Sequence, residues 1–273
     1  MRGALVGICA AVIAVAAAGC GGSSSAADPT TTIRQLRQFR IVFPEGFTRA
    51  QMVARAQAVA KIAVRESRRK VKLSGHAYAA ATAKPRTFPG FGPKKLSYEG
   101  FLFPDTYDFD RKSTATQLVQ NQLGEFVSQW GELNLSYARS KNLTPYDVLT
   151  IASMVEGEAQ VPSERPLVAA VIYNRLHAHM PLGIDATLRY GLHIPPTESL
   201  TQSELANPTP YNTRLHTGLP PTPINNPGKA ALEAAAHPAK VDYLYFVRKP
   251  DHRHHYFTAN YQDFLDHEAQ YGY

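Results

Sequence analysis

The sequence predicts an α+β fold, with a small βα module followed by a larger domain of mixed helices and strands. Three observations support this prediction. Residues 39–48, FRIVFPEGFT, have apolar residues in alternation and end in a Pro-Glu-Gly turn, which is typical of a short strand. Residues 147–176 carry apolar residues at helical spacing. Residues 242–248, DYLYFVR, return to a strand pattern.

The N-terminus has the features of a secretory signal. Arg2 precedes an apolar run, residues 4–18, and small residues follow it up to Cys20. The run is shorter than the twenty or so residues that a spanning helix needs. Because Cys20 follows Ala-Ala-Gly as in a bacterial lipobox, we expect lipidation of Cys20. Ordinary cleavage and an uncleaved anchor are the alternatives.

Four segments follow from this pattern. Residues 1–20 are the predicted signal and lipobox, and residues 21–38, which begin with a Gly-, Ser-, Ala- and Thr-rich stretch, form a flexible tether. Residues 39–95 form the small module and end in the Pro/Gly-rich stretch KPRTFPGFGPKK. Residues 96–273 form the larger domain. Both cysteines, Cys9 and Cys20, lie in the leader, which excludes disulfide, thiol and zinc-thiolate chemistry in the folded part.

The chain is basic, with a formal net charge of +7. Part of the excess lies in residues 65–72, RESRRKVK, and a surface of this kind suits lipid headgroups or an anionic cell-wall polymer. A solvated helix face is the alternative. No aromatic residues interleave this run, which argues against stacking on single-stranded nucleic acid. We therefore expect no nucleic-acid partner.

Local signals place the remaining elements. Thr48 caps a helix over 50–69, and Thr144 with Pro145 opens the helix that contains Glu156. The other expected elements are a long helix over 114–140, a helix from residue 162 or 163 to about 179, loops over 181–228, a helix over 229–236, a strand over 254–257 and a helix over 261–271.

Glu156 is the first candidate for chemistry. It falls among Leu149, Ala152, Val155 and Ala159, which share one helix face at about 100° per residue. A carboxylate on an apolar face is costly to ionise, so the pKa of Glu156 should rise, which suits a general acid. The alternative is that Glu156 lies at the edge of the apolar stripe and reaches water.

Two further carboxylates are possible partners for Glu156. Glu158 lies about 200° from it around the helix and cannot face it. Asp185, in the segment MPLGIDATLRYG, would give a two-carboxylate pair for glycoside hydrolysis if both flanked one sugar bond. A turn-capping role is the alternative for Asp185.

Polar residues cluster at Asn174-Arg175 and at Tyr211-Asn212-Thr213. Such groups are suited to hydrogen bonds with the hydroxyl and acetamido groups of a glycan, and loop self-structure is the alternative. His252, His254 and His255 invite a metal interpretation, but no HExxH pattern is present. The sequence also contains no Gly-rich phosphate loop, so we expect neither a metal nor a cofactor.

Several stretches, in order, resemble the YceG-like family of endolytic murein transglycosylases. These are EGFLFPDTYDF at 99–109, IASMVEGEA at 151–159, VIYNRL at 171–176, MPLGIDAT at 180–187, PYNT at 210–213, GLPPTPINNPG at 218–228, HPAKVDYLYFV at 237–247 and HHYFT at 254–258. Residues 39–48 and the following helix resemble the small LysM-like module of that family. The chain departs from the family at Ala186, where proline is usual, and at Arg214, where an aromatic residue is common.

The resemblance implies a lyase that cleaves MurNAc–GlcNAc bonds within peptidoglycan strands and leaves 1,6-anhydroMurNAc ends, with Glu156 as the catalytic residue. The family often starts with a transmembrane helix, whereas the N-terminus of this chain predicts a lipoprotein leader. We therefore expect an extracytoplasmic protein, held to the cell membrane by a lipid or an N-terminal anchor, with cell-wall synthases as possible partners. A two-carboxylate hydrolase and a non-catalytic cell-wall-binding lipoprotein are the alternatives. The expected substrate-binding residues are Asn174, Arg175, Asp185, Thr187, Tyr211, Asn212, Thr213 and His255.

Overall fold

Residues 36–272 are described by a computed structural model, which confirms the predicted mixture of helices and small sheets. The predicted signal, the lipidation site Cys20 and residues 21–35 of the predicted tether lie outside the described residues. The strands are β1 (Phe39–Val42), β2 (Thr106–Phe109), β3 (Tyr245–Arg248) and β4 (His255–Thr258). The helices are α1 (Arg49–Ser67), α2 (Gly75–Ala81), α3 (Ala115–Gly131), α4 (Ser136–Ser140), α5 (Pro145–Glu158), α6 (Arg165–His177), α7 (Asp185–Leu192), α8 (Gln202–Leu205), α9 (Lys229–Ala236) and α10 (Tyr261–Tyr271), with a 3₁₀ turn at Pro162–Glu164.

Threonine caps fix where three of the longest helices begin. The hydroxyl of Thr48 accepts a hydrogen bond from the third backbone N–H of α1, and the third side chain, Gln51, accepts one from the Thr48 N–H. Thr114 and Thr144 form the same capping box at the starts of α3 and α5. The predicted caps Thr48 and Thr144 are therefore confirmed, as is Pro145 in the first turn of α5.

The first strand pairs with a strand that lies beyond the predicted small module. β1 and β2 are antiparallel, with Phe39 opposite Phe109 and Val42 opposite Thr106, and α1 and α2 lie between them in sequence. Residues 39–109 thus form a βααβ unit whose closing strand comes after residue 95. Contacts join residues 36–272 into one compact unit, so the predicted boundary between residues 95 and 96 does not coincide with a break in packing.

An aromatic cluster joins the βααβ unit to the helices that follow. Phe101 is fully buried and stacks on Phe88 with 3.7 Å between ring centroids. Phe91 and Phe126 contact other edges of Phe101, and Trp130 packs on Phe126. Because these rings come from the Pro/Gly-rich stretch, from the segment before β2 and from α3, the cluster unites regions that the sequence separates.

α5 is the central helix of the core. Every residue from Val148 to Val155 is buried, so the helix is enclosed on all sides. Its principal neighbour is α9, which packs closely because its inner face consists of Ala231, Leu232 and Ala234–Ala236. The position of Glu156 near the end of this buried helix follows from that packing.

Two sequence predictions of secondary structure were wrong. The predicted helix over 114–140 is split into α3 and α4, because residues 132–135 leave the helix and the side chain of Asn134 accepts a hydrogen bond from the Ser136 N–H. The predicted loop over 181–228 contains α7 and α8. α7 is short, and it is stabilised by burial of Thr187 and Leu188 rather than by a strong local signal.

The C-terminal elements agree with the sequence. β3 and β4 form the predicted antiparallel pair, with Tyr245 opposite Thr258. The predicted bounds of α9 and α10 coincide with the observed ones. Within residues 36–272, no helix has the length and apolar character required to cross a bilayer.

We predict that Phe101→Ala lowers the free energy of unfolding by about 3–5 kcal/mol, because it removes a ring that is buried between two regions. Chemical denaturation should still give a single transition, since the aromatic cluster couples these regions. Val127→Ala is the control, because Val127 is on α3 but 61% exposed, and it should change the free energy by less than about 0.5 kcal/mol. Two separate transitions in the wild type would contradict this description of the core.

Candidate active site

Glu156 lies in the last turn of α5. Ala159 adopts extended backbone geometry immediately after the helix, which ends at Glu158. The predicted apolar neighbours Leu149, Ala152, Val155 and Ala159 are all buried, and the side chain of Glu156 is only 8% exposed. The alternative, in which Glu156 reaches freely into water, is not what the structure shows.

Three groups surround the Glu156 carboxylate. Its Oε2 accepts a hydrogen bond of 3.1 Å from the backbone N–H of Gly228, the residue that precedes α9. Its Oε1 lies 3.8 Å from a guanidinium nitrogen of Arg165, at the start of α6. The same nitrogen lies 4.0 Å from the carboxylate of Glu45, in the turn after β1. Two carboxylates therefore share one arginine.

The pKa of Glu156 is raised above the usual value for glutamate. Burial is the largest cause, and the negative charge of Glu45 acts in the same direction. The Gly228 N–H and the Arg165 charge act in the opposite direction, because both favour the ionised form. The direction predicted from the sequence is confirmed.

Two glycines permit this close arrangement. Gly46 has a φ of +75°, which side chains rarely adopt, and it allows the chain to turn directly beside Glu156. A Cβ atom on Gly228 would lie 1.8 Å from Oε1 of Glu45. A side chain at position 228 would displace Glu45, so the site requires glycine there.

The loop before α9 is fixed to α5 and to the β1–α1 turn. The Ile224 N–H donates to the Ser153 hydroxyl, and the Asn225 side chain donates to the Ser153 carbonyl. The side chain of Asn226 makes three hydrogen bonds: it accepts one from the Leu102 N–H and donates to the Phe47 carbonyl and to the Glu99 carboxyl group. These contacts hold the Gly228 N–H where it meets Glu156.

Glu99 is a second buried carboxyl group beside this loop. It accepts hydrogen bonds from the Arg49 N–H, the Tyr190 hydroxyl and the Asn226 amide. Burial raises the pKa of Glu99 to about 7, although these hydrogen bonds and the Arg49 charge oppose the shift. Glu99 therefore links α1, α7 and the 224–228 loop. Its burial makes the ionised form of the carboxyl group less favourable.

Comparison with known proteins identifies the family. Residues 22–270 match the YceG-like family. The chain belongs to the YceG-like family. The likeness extends to a solved structure, a YceG-like protein of Listeria monocytogenes, with a TM-score of 0.66 and 27% identity over 83% of this chain and 75% of that one.

Two relatives of this YceG-like chain are named endolytic murein transglycosylase. The protein from Bacillus subtilis is 38% identical over 157 residues, which cover 57% of this chain and 43% of the relative. The protein from Streptococcus pneumoniae R6 is 32% identical over 239 residues, covering 82% of this chain and 43% of the relative. The matched part thus spans less than half the length of these relatives.

Most of the predicted substrate-binding side chains use their polar atoms within the protein. Asn174 donates to the carbonyls of Val241 and Tyr243. Arg175 donates to the carbonyls of Pro181, Leu182 and Leu244. These contacts tie α6 to the chain that leads into β3. The geometry supports a framework role for Asn174 and Arg175, and their contact with substrate stays a prediction.

The residues of the 210–213 segment form a similar internal network. The side chain of Asn212 donates to the carbonyls of Leu205 and Asn207 and accepts from the Arg214 N–H. The hydroxyls of Thr187 and Thr213 are buried and lie 3.0 Å apart. For these three residues, too, direct contact with substrate stays a prediction. Tyr211 bonds Thr222 through its hydroxyl and packs edge-to-face on Tyr190.

Asp185 is placed beside Glu158 and Arg214. Its carboxylate lies 2.6 Å from the Arg214 guanidinium, at the surface. Burial is the largest cause that raises the pKa of Glu158, and the negative charge of Asp185 is the second. The acidic neighbour that raises the pKa of Glu156 is Glu45. The carboxylate that the sequence analysis paired with Glu156 is therefore not the one that the structure places next to it.

His255 is buried against Glu164 rather than exposed to a ligand. Its backbone N–H and its Nδ1 both bond the Glu164 carboxylate, the latter at 2.8 Å. Burial lowers the pKa of His255, although the Glu164 bond opposes that shift. Nearby His254 bonds Asp251. His255 thus joins β4 to the 3₁₀ turn before α6, and its contact with substrate stays a prediction.

Glu45 and Arg165 are the site residues that the sequence analysis missed. In the sequence, Glu45 is the centre of a Pro-Glu-Gly pattern, which predicts a turn and does not indicate a catalytic site. Arg165 begins a helix, where an arginine is normally solvated. Neither has a local pattern that points to Glu156, which is more than one hundred residues from Glu45 in sequence.

We predict that Glu99→Gln makes stability less dependent on pH. Because the folded-state pKa of Glu99 is raised to about 7, the stability it contributes is full below about pH 4.5 and is lost as the pH rises through 7. Between pH 5 and pH 8 the free energy of unfolding should fall by about 2 kcal/mol less in the variant than in the wild type.

Denaturant titrations at the two pH values measure this difference. Glu132→Gln is the matched control, because Glu132 is exposed and pairs with Lys229 at the surface. An equal pH dependence in Glu99→Gln and the wild type would refute the assignment of the buried charge to Glu99.

Proposed function

We propose that the chain is an endolytic peptidoglycan lytic transglycosylase, a lyase that cleaves MurNAc–GlcNAc bonds within glycan strands. The observation that carries the proposal is the Glu156 carboxyl group, which is buried, has a raised pKa and is contacted by one backbone N–H and a loosely placed arginine. Membership in the YceG-like family and the names of its relatives supply the substrate class.

In the proposed reaction, Glu156 begins neutral and protonates the glycosidic oxygen as the bond to the MurNAc anomeric carbon breaks. The Glu156 carboxylate that results takes the proton from the MurNAc C6 hydroxyl as that oxygen attacks the anomeric carbon. One residue serves first as acid and then as base, and its proton is restored. Intramolecular attack has a high effective molarity, so the reaction needs no enzyme nucleophile.

Two rival functions make different demands on the site. A hydrolase would need a second carboxylate to activate water, and Asp185 pairs with Arg214 near Glu158 instead. Glu45 is the nearer candidate for that role. A purely glycan-binding protein would have no need for a buried carboxyl group whose pKa is raised.

We extend the proposal to the cellular setting. The protein acts outside the cytoplasm on peptidoglycan, is held to the cell membrane through a lipid on Cys20 or an N-terminal anchor, and works alongside cell-wall synthases. We propose that residues 39–95, which lie within the βααβ unit of residues 39–109, are the expected LysM-like module. Its Pro-Glu-Gly turn lies against Glu156, which supports a contribution of this unit to glycan contact.

We predict that Glu156→Gln abolishes release of anhydro-ended muropeptides from purified sacculi, with a rate loss of about 10²–10⁴-fold, because glutamine has no proton of suitable acidity. Glu132→Gln is the control and should digest at the wild-type rate. Thermal unfolding establishes that both variants are folded.

Product masses separate the candidate reactions. Transglycosylation gives 1,6-anhydro ends, whereas hydrolysis gives reducing ends that are one water heavier. Wild-type digestion to reducing ends would support the hydrolase, and glycan binding without cleavage would support the binding protein. A folded Glu156→Gln variant that releases anhydro products at the wild-type rate would exclude Glu156 as the acid.

A further inference from the structure

The surroundings of Glu156 contain a second carboxylate and an arginine that the proposed reaction does not yet use. Glu45, Glu156 and Arg165 come from the β1–α1 turn, the end of α5 and the start of α6. The Arg165 guanidinium lies 4.0 Å from Glu45 and 3.8 Å from Glu156. Both distances are too long for a good hydrogen bond, so Arg165 forms a close ion pair with neither carboxylate.

Arg165 is unusual for an arginine at a helix start. Its side chain is only 13% exposed, and its Nε is buried without a hydrogen-bond partner among the described residues. Buried polar groups are nearly always paired, and a catalytic role is one explanation for an exception. The charge of Arg165 is therefore available to whichever carboxylate carries the negative charge.

Glu45 is held in place by its own turn. The Gly46 N–H donates to the Asn226 carbonyl, and the Glu45 carboxylate lies over Gly228, where only a glycine leaves room for it. The Glu45 side chain is 50% exposed, whereas the Glu156 side chain is 8% exposed. The turn thus presents a fixed negative charge beside Glu156 on the solvent side.

We propose that Glu45 is a positioning residue for the reaction proposed above: its carboxylate shares Arg165 with Glu156 and keeps Glu156 protonated until substrate is cleaved. Glu45 draws the arginine charge toward itself while Glu156 is neutral. When Glu156 gives its proton to the leaving oxygen, Arg165 stabilises the new carboxylate. The inference rests on the proposed function and adds a residue of the βααβ unit to the site.

The charges around Glu156 shift its pKa in opposite directions. Apart from burial, the groups that influence Glu156 are the Glu45 carboxylate, the Arg165 guanidinium and the Gly228 N–H at the start of α9. A second negative charge close to Glu156 makes ionisation less favourable, and a positive charge makes it more favourable. Removal of Glu45 and removal of Arg165 should therefore change the protonation of Glu156 in opposite senses.

The pH dependence of kcat/KM for release of anhydro muropeptides tests this inference. Protonated Glu156 is the active form, so the rate falls as the pH rises through its pKa. We predict that Glu45→Gln moves this alkaline limb to lower pH by about one unit, and that Arg165→Gln moves it to higher pH by a similar amount. Arg165→Lys retains the charge, and Glu132 is not among the groups that influence the pKa of Glu156. Arg165→Lys and Glu132→Gln should therefore both keep the wild-type limb.

A purely structural role would lower the rate at all pH values without moving the limb, and that result would overturn the inference. Direct titration of the Glu156 side-chain carboxyl by ¹³C NMR makes the test independent of activity. Its midpoint should fall in Glu45→Gln and rise in Arg165→Gln, and unchanged midpoints would overturn the inference. If Glu45→Gln does not fold, the Glu156 midpoint in Arg165→Gln tests the inference: a rise supports it and an unchanged midpoint overturns it.

The titration also separates this inference from the proposed function. Wild-type protein that releases no anhydro products would refute the function, while the Glu156 midpoints would still show whether Glu45 and Arg165 control its proton. Anhydro products with unchanged midpoints would support the function and refute the role of Glu45.

Discussion

The burial of one carboxyl group near the end of an apolar helix is the constraint on which the rest of the site depends. An isolated charge in such a position is strongly disfavoured, so Glu156 remains neutral or requires compensation. The fold supplies only partial compensation, through one N–H at the start of α9 and an arginine at 3.8 Å. Partial compensation suits a group that must both release a proton and take one back.

The groups around Glu156 come from separate segments of the chain, and Asn226 joins two of them, the 224–228 loop and the β1–α1 turn. Its side chain and backbone contact the β1–α1 turn, the segment before β2 and Glu99. Those contacts fix the loop that presents the Gly228 N–H. The βααβ unit is consequently part of the site, because its turn delivers both Glu45 and the Gly46 bend.

The sequence predicted well the features that have local causes. The start of α5 follows from Thr144, Asp147 and Pro145, and the burial of Glu156 follows from apolar residues at helical spacing. The bounds of α9 and α10 were likewise predictable from local patterns. The short helix α7 was missed because its stability comes from tertiary burial of two side chains.

The sequence predicted poorly which polar groups meet. Asn174, Asn212 and Thr213 were expected to bind substrate because of their chemistry, and in the structure each also bonds backbone groups of the protein. Polar residues that brace a loop and polar residues that bind a sugar look alike in sequence. Glu45 and Arg165 were missed for the converse reason, since their proximity to Glu156 arises only from long-range packing.

The central claim is that Glu156 is protonated at a pH where an exposed glutamate is ionised. Infrared difference spectroscopy between the wild type and Glu156→Gln measures this directly through the carboxyl stretching band. We predict a protonated-carboxyl band that is absent from the variant and titrates with a midpoint above 4.5, the ordinary value for glutamate. A midpoint at or below that value would contradict the account.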